Sequence, residues 1–263
     1  MSFAPLHTLS PSTLQSIRLI ATDMDGTLTR GGKFTADLLR SLNALADIGL
    51  PVLIVTGRSA GWVNGVVAYL PVAGAIAENG GLYDPGDPEL ELLVPIASVS
   101  THRHKLAQMF AGLQQEFPQI QEAADNRFRL TDWTFGVAGL SLAALQTMGD
   151  RCLTQGWGFT YSTVQCHIKP LEQDKSAALL RVLQTHFPGI TPDQILTIGD
   201  SPNDESLFNG DRFPHSIGVA NVLHYRDRLT YQPTYVTTTA EVDGFCEVTR
   251  LLCHHRHPSE LVV

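Results

Sequence analysis

Short, wholly apolar runs alternate along this chain with segments whose apolar residues recur at helical spacing. Residues 17–29 read I-R-L-I-A-T-D-M-D-G-T-L-T, an Ile/Leu-rich run closed by Asp23, Asp25 and Gly26. A continuous apolar run broken by glycine predicts an interior strand of a parallel sheet. Residues 35–48 carry Leu38, Leu39, Leu42, Leu45 and Ile48 at helical spacing, with Gly49 as a stop. A second apolar run over 52–55 ends on Thr56-Gly57-Arg58, and a helix over 60–69 and a strand over 73–77 follow. This βα repeat specifies a parallel sheet with right-handed crossovers. The first fifteen residues, with Pro5 and Pro11, read as an irregular lead-in.

The rhythm changes after Glu78-Asn79-Gly80-Gly81. Residues 84–88 read D-P-G-D-P, a turn cluster. Helices are then expected over 98–117 and 142–155, and strands near 120–123, 128–137, 159–162 and 165–169. The αββαββ order marks residues 84–170 as an inserted α+β domain with a mainly antiparallel sheet, set into an α/β core of residues 1–83 and 171–263. The βα pattern resumes with a helix over 175–186, a strand over 195–200 ending on Asp200, a helix over 203–208, strands over 216–220 and 235–237, and a helix over 242–253.

Composition narrows the function classes. At 263 residues the chain can bury a core without staples, and 43% hydrophobic with 17% charged residues is ordinary for a soluble globular protein. No run approaches the roughly 20 apolar residues of a bilayer span, and no basic segment leads into an apolar stretch at the N-terminus, so a cytoplasmic protein with no membrane partner is expected. The net charge of −8, without a Lys/Arg block, argues against nucleic acid as the partner. Cys152, Cys166, Cys246 and Cys253 form no C-x-x-C pair, as expected of reduced structural thiols. His254, His255 and His257 read as a solvated tail.

The chemistry concentrates at strand ends, where open α/β sheets bind ligands. Asp23 and Asp25, one residue apart, would repel each other if buried and ionised, which calls for a divalent metal, a nucleophilic role, or both. Thr56, Lys175, Asp200 and Asp204 join them if the strands are neighbours. Oxygen donors from Asp23, Asp25 (through its carbonyl), Asp200 and Asp204 suit Mg²⁺, which favours a phosphate in its shell. Asp23 is then the candidate nucleophile, and Asp25 the group that protonates the leaving oxygen and activates water. Thr56 and Gly57 are expected to meet the phosphoryl oxygens, and Lys175 to hold both the nucleophile and the developing charge. Asn203 is read as a helix cap or a contact to metal-bound water, and Arg58 as a substrate contact or the partner of an acidic neighbour. Arg127, Arg129, Trp133, His167 and Lys169 are the candidates for substrate contact in the insert.

These segments resemble the haloacid dehalogenase-like hydrolases, and among them the Cof-type group with a cap between the second and third motifs. Asp23-Met24-Asp25-Gly26-Thr27-Leu28 is similar to the family's D-x-D-G-T-L, Val55-Thr56-Gly57-Arg58 to its hydroxyl motif, Gln173-Asp174-Lys175-Ser176 to its lysine motif and Gly199-Asp200-Ser201-Pro202-Asn203-Asp204 to its G-D-x-x-N-D. Glu78-Asn79-Gly80-Gly81 resembles its hinge stretch, and Ser176 departs from the family's frequent glycine. The resemblance implies a Rossmann-like core, a mobile cap and Mg²⁺-dependent hydrolysis of a small phosphorylated metabolite, a sugar or hydroxy-acid phosphate. The cap size is similar to that of relatives acting on phosphoglycolate, sucrose phosphate or mannosyl-phosphoglycerate. A sugar phosphomutase or phosphotransferase is the alternative within the family, and a phospho-accepting signalling module the alternative outside it. Monomer and homodimer are both compatible with the sequence.

Overall fold

A computed structural model of the protein describes residues 3–87 and 90–256. The chain opens with β1 (Ala4–Pro5), α1 (Pro11–Ser16), β2 (Leu19–Thr22), α2 (Ala36–Asp47), β3 (Val52–Val55), α3 (Ala60–Tyr69) and β4 (Ala75–Ala77), and then turns back through β5 (Leu82–Asp84) and β6 (Glu91–Leu92). A second region holds α4 (Val99–Glu116), β7 (Trp133–Gly136), α5 (Leu142–Thr154), β8 (Trp157–Tyr161) and β9 (Gln165–Pro170). The chain closes with α6 (Lys175–His186), β10 (Ile195–Gly199), β11 (Ser216–Gly218), β12 (Tyr235–Val236) and α7 (Glu241–Arg256).

Nine strands form one sheet in the order β1-β12-β11-β10-β2-β3-β4-β5-β6. From β1 to β4 the pairing is parallel, and β5 and β6 add an antiparallel edge. Because successive strand side chains face opposite sides, β2 sends Ile20 into one layer, with Leu42, Leu45 and Phe245 of the helices, and Leu19 and Ala21 into another, with Leu179 and Val182 of α6. Both faces are therefore covered, and this accounts for the unbroken apolar runs of β2 and β3.

The second region has its own sheet, β7-β9-β8, entirely antiparallel, and its own core of Leu106, Phe110, Leu113, Phe135, Met148 and Ile168. The expected strand near 120–123 is reduced to an isolated bridge between Glu122 and Phe135. The Asn126 amide supplements that bridge: it accepts from Thr134 N–H at 2.9 Å and donates to Thr134 C=O at 2.8 Å, a carbonyl that Ala123 N–H also reaches at 2.9 Å. Residues 124–128 accordingly turn in a 3-10 helix, so the order is αβαββ.

Three further elements differ from the sequence reading. The lead-in is ordered: β1 pairs with β12, and α1 starts at Pro11 with Ser10 as its cap, the arrangement a Ser-Pro pair favours. Glu91–Leu92, inside the interval expected to be inserted, pairs with β5 in the large sheet. Residues 202–208 form a 3-10 rather than an α-helix. Among the described residues no helix is long and apolar enough to cross a membrane. The four cysteines are unbridged. His254 and His255 lie at the end of α7, while His257 lies outside the described residues, as does Pro88 of the turn cluster.

The two regions are joined by buried polar contacts. Glu78, fully buried, accepts from Ala60 N–H at 3.0 Å, Thr131 N–H at 2.7 Å and the Thr131 hydroxyl at 2.8 Å, and also from Leu130 N–H. It thus supplies the N-terminal acceptor of α3 that Ser59 does not provide, and ties that helix to residues 130–131. Burial raises the Glu78 pKa, an effect that Arg129 and the Ala60 and Thr131 N–H groups partly offset. Glu78 and Asn79 both sit at positive φ (52° and 54°), and a Cβ on Gly81 would overlap Thr131, so this short stretch is sterically committed to the junction.

Candidate active site

The order β10-β2-β3 sets three strand ends side by side at the point where the sheet changes direction of growth. Strand β2 continues its ladder one residue further through Asp23 N–H to Ile198 C=O (2.8 Å), which fixes the backbone from which the Asp23 carboxylate projects. Asp200 follows β10, and Thr56 follows β3. Lys175, the first residue of α6, reaches between two of these groups: its Nζ lies 2.6 Å from Asp23 Oδ1 and 2.6 Å from Asp204 Oδ1, with no solvent exposure of the side chain. Asp204 is held in turn by the N–H groups of Asp200 (2.9 Å) and Ser201 (3.1 Å) on its other oxygen.

Asp23, Asp200 and Asp204 each present a carboxylate oxygen within 4.8 Å of the other two, and all three are buried. Three carboxylates facing one ammonium leave uncompensated negative charge. Burial, reinforced by Asp204, raises Asp23 to about 8 against the pull of Lys175, and burial with Asp23 and Asp204 raises Asp200 as well. Burial opposes the Lys175 charge, yet Asp204 and Asp23 together hold its pKa above the ordinary value. A hard divalent cation coordinated by oxygen would remove this excess, so the donor set fits the group that the motifs implied.

Asp25 stands apart from this triad. Its carboxylate accepts two hydrogen bonds from Arg58, at 2.7 Å from Nε and 2.5 Å from Nη2, so Arg58 is the partner of an acidic neighbour. Of the four residues expected to hold a metal, only Asp25 contributes no side chain to the acidic cluster. Thr56 is buried and accepts from Arg58 N–H at 3.2 Å, leaving its hydroxyl proton free. Gly57 has its carbonyl occupied by Arg129 Nη1 at 2.9 Å. Asn203 is not a helix cap, since Ser201 takes that place. Its amide donates to Asn79 Oδ1 at 3.0 Å and accepts from the Ser201 hydroxyl at 2.7 Å.

Two residues were not anticipated. Asn221 donates to Asp200 Oδ2 at 2.8 Å and to Gly26 C=O at 3.0 Å, locking the acidic strand end to the loop after β2. Gly26 has φ +83°, and a Cβ there would stand 2.5 Å from Asp200 Oδ2, so the glycine is what lets the two loops close. The strand-end rule that singled out the aspartates also reaches Asn221, which follows β11. The second residue, Asp132, is fully buried and carries no motif. It accepts from Arg129 Nη1 at 2.9 Å and shares a 2.8 Å hydrogen bond with His167 Nδ1.

Among the candidates in the second region, Arg129 gives Nη1 and Nη2 to Asp125, Asp132, Gln165 and Gly57 while its buried Nε has no partner, and Arg127 stacks on Phe128. Trp133 packs beneath Arg103. His167 lines a narrow crevice together with Asp23, Asp25, Arg58, Gln165 and Asn203. Burial lowers the His167 pKa despite Asp132, whereas Arg129 and His167 keep Asp132 below the usual carboxylate range against the effect of burial. His167 is thus a neutral imidazole whose Nδ1–H faces an ionised carboxylate. Because its folded pKa lies below the unfolded value of about 6.5, its contribution to stability is complete above that pH and is lost as pH falls toward the folded value. Urea unfolding at pH 7.5 and 5.5 is expected to show a smaller loss of stability on acidification in His167→Gln than in the parent. Equal losses would mean that His167 is not buried as a neutral group.

A family model described as haloacid dehalogenase-like hydrolase matches residues 20–121, a span that begins in β2 and contains the first two strand ends. Over those residues the chain is similar to the haloacid dehalogenase-like hydrolases. A phosphoglycolate phosphatase of Methanothrix thermoacetophila is 26% identical over 236 residues, covering 88% of this chain and 95% of the relative. In fold, the chain is similar to a crystal structure from Thermoplasma acidophilum (TM-score 0.72, 20% identity, 90% of this chain and 98% of that one). It is also similar to the C-terminal domain of the C. albicans trehalose-6-phosphate phosphatase (TM-score 0.69, 17% identity, 96% and 98%). The nine-stranded, mainly parallel sheet with a separate antiparallel sheet is the fold that this likeness covers.

Proposed function

We propose that this protein is a Mg²⁺-dependent phosphatase that cleaves a small phosphate monoester through an aspartyl-phosphate. The observation that carries the reading is the placement of Asp23, Asp204 and Asp200 around Lys175: a buried nucleophilic carboxylate beside a fixed cation and a surplus of acidic oxygens. Residues 1–83 and 171–263 would form the catalytic core, and 84–170, less the β6 edge, the cap.

Asp23, Asp200 and Asp204, with the Asp25 carbonyl, would hold the Mg²⁺, which supplies charge neutralisation for the phosphoryl group. Lys175 holds Asp23 in place and stabilises charge on the phosphoryl oxygens, aided by the free Thr56 hydroxyl. Asp23 attacks phosphorus as the bond to the leaving oxygen breaks. Asp25 gives that oxygen its proton and afterwards takes one from the water that releases phosphate from Asp23. Arg58 orients Asp25 through its two-point grip and keeps it out of the acidic cluster. Ser162, Val164, Gln165 and His167 of the cap wall the crevice at Asp23 and Asp25, so opening of the cap would admit substrate and its closure would exclude water.

The direct test is a panel of phosphate monoesters assayed for phosphate release with Mg²⁺, with EDTA, and with EDTA followed by excess Mg²⁺. Release that stops with the chelator and returns with the metal is expected. Release from none of the esters, or release indifferent to EDTA, would overturn the reading. Transfer of the phosphoryl group to a sugar hydroxyl faster than to water would instead identify a phosphomutase or phosphotransferase.

A further inference from the structure

Thr56, Gly57 and Arg58 form the turn that follows β3, and their three carbonyls are satisfied from two different places. Thr56 C=O accepts from Asn79 N–H and Arg58 C=O from Glu78 N–H, each at 2.9 Å and each from the core. Gly57 C=O, between them, accepts from Arg129 Nη1 at 2.9 Å and has no other donor among the described residues. Arg129 follows the 3-10 turn of the cap. The core by itself thus leaves the middle carbonyl of this turn without a protein partner.

The guanidinium of Arg129 is fixed from the cap side. Nη2 donates to Asp125 at 2.9 Å and Gln165 at 3.0 Å, and Nη1 to Asp132 at 2.9 Å. Three of the four terminal N–H groups therefore hold the planar fork in place, and the fourth crosses to the core. A cap that swings away takes Arg129 with it, so this bond is made only on closure. One peptide plane links it to the reacting groups. Gly57 C=O and Arg58 N–H belong to the same rigid unit, so a donor fixed on the carbonyl also fixes the N–H, which points to Thr56 Oγ1 at 3.2 Å. The same plane sets the backbone from which Arg58 reaches Asp25, at 2.7 and 2.5 Å. A Cβ at position 57 would stand 3.1 Å from both the Asn79 amide and His167 Cε1, and the glycine that avoids this also lets the plane turn when no donor holds it.

We propose that Arg129 is a positioning residue through which closure of the cap assembles the catalytic turn: its hydrogen bond to the Gly57 carbonyl sets the Gly57–Arg58 peptide, and with it Thr56 Oγ1 and the grip of Arg58 on Asp25. The inference rests on the phosphatase reading for the tasks of Thr56 and Asp25, and it adds the residue that makes those tasks conditional on a closed cap. The Arg129 side chain is fully enclosed, so it acts through its neighbours and not on substrate. An ion pair that served only the cap would have no use for the fourth N–H.

Two kinds of leaving group separate positioning from packing. p-Nitrophenolate departs without a proton, whereas an alkoxide needs the one that Asp25 supplies, so a displaced Asp25 harms an alkyl ester more. Arg129→Lys keeps a cation for Asp125 and Asp132 but loses the fork. In the full-length variant with Mg²⁺, kcat/KM is expected to fall about a hundredfold for the alkyl phosphate that the unmodified protein cleaves fastest, and about tenfold or less for p-nitrophenyl phosphate. Asp125→Asn loosens Arg129 within the cap yet leaves Nη1 on Gly57, and should keep the ratio of the two esters at the parental value. If Arg129→Lys does not fold, Arg129→Gln combined with Asp132→Asn removes the guanidinium without stranding that carboxylate, and is read against Asp132→Asn alone. A folded variant that loses equal factors on both esters, or loses nothing, would overturn the proposal, because an arginine that only stabilises the cap acts on every ester alike. Failure of the phosphatase reading would look different: no phosphate released from any ester by the unmodified protein.

Discussion

Asp23→Asn is expected to lower kcat by at least about a thousandfold while leaving the fold intact. The amide is isosteric and can still accept from Lys175, but it cannot attack phosphorus, and loss of a covalent nucleophile costs several orders of magnitude. Stability should not suffer. Burial with Asp204 already raises the Asp23 pKa to about 8, so the charged form is the disfavoured one and a neutral side chain relieves it. Phosphate-release kinetics paired with thermal melts in the absence of metal provide the check. More than a tenth of the parental kcat in a folded Asn variant would show that Asp23 is not the nucleophile.

Lys175→Met should be damaging for the opposite reason. The lysine compensates two buried carboxylates at 2.6 Å each, and removing one member of such a cluster strands the others. Stranding a buried charge costs about 3–5 kcal/mol, which for a protein of this size corresponds to a fall in Tm of roughly 6–20 °C. Divalent cation should restore more of the Tm in the variant than it adds to the parent, because the acidic cluster then has no other counter-charge. Activity should fall along with stability even where Mg²⁺ rescues the fold, since no ammonium remains to hold Asp23 and the phosphoryl oxygens. A metal-free variant melting within about 2 °C of the parent would place the lysine outside the charge balance of the site.

The core strands and their carboxylate-bearing ends were legible in the sequence because burial on both faces of a parallel sheet leaves an unbroken apolar run, and because Asp23, Thr56, Lys175 and Asp200 each sit at or next to an element boundary. The second region was less legible. The strand near 120–123 shrank to one bridge, and the Asn126 amide took up Thr134 N–H and shared its carbonyl, a side-chain contact with no periodicity of its own. The β1 edge and the α1 cap were hidden by prolines, which discourage strand interiors and α-helix interiors yet suit an edge strand and the first turn of a helix.

What the sequence determined by itself is the parallel core, a separate α+β region with an antiparallel sheet and the set of groups able to meet at one edge of the large sheet, because strand burial and strand-end chemistry are local properties of the chain. The tertiary structure alone decided which of those groups touch. Asp25 turned to Arg58, Asn221 locked Asp200, and Asp132 took up the ring of His167. Each of these outcomes depends on residues tens to hundreds of positions apart and on the loss of solvent around them, and neither the distance nor the desolvation is written in any short stretch of sequence.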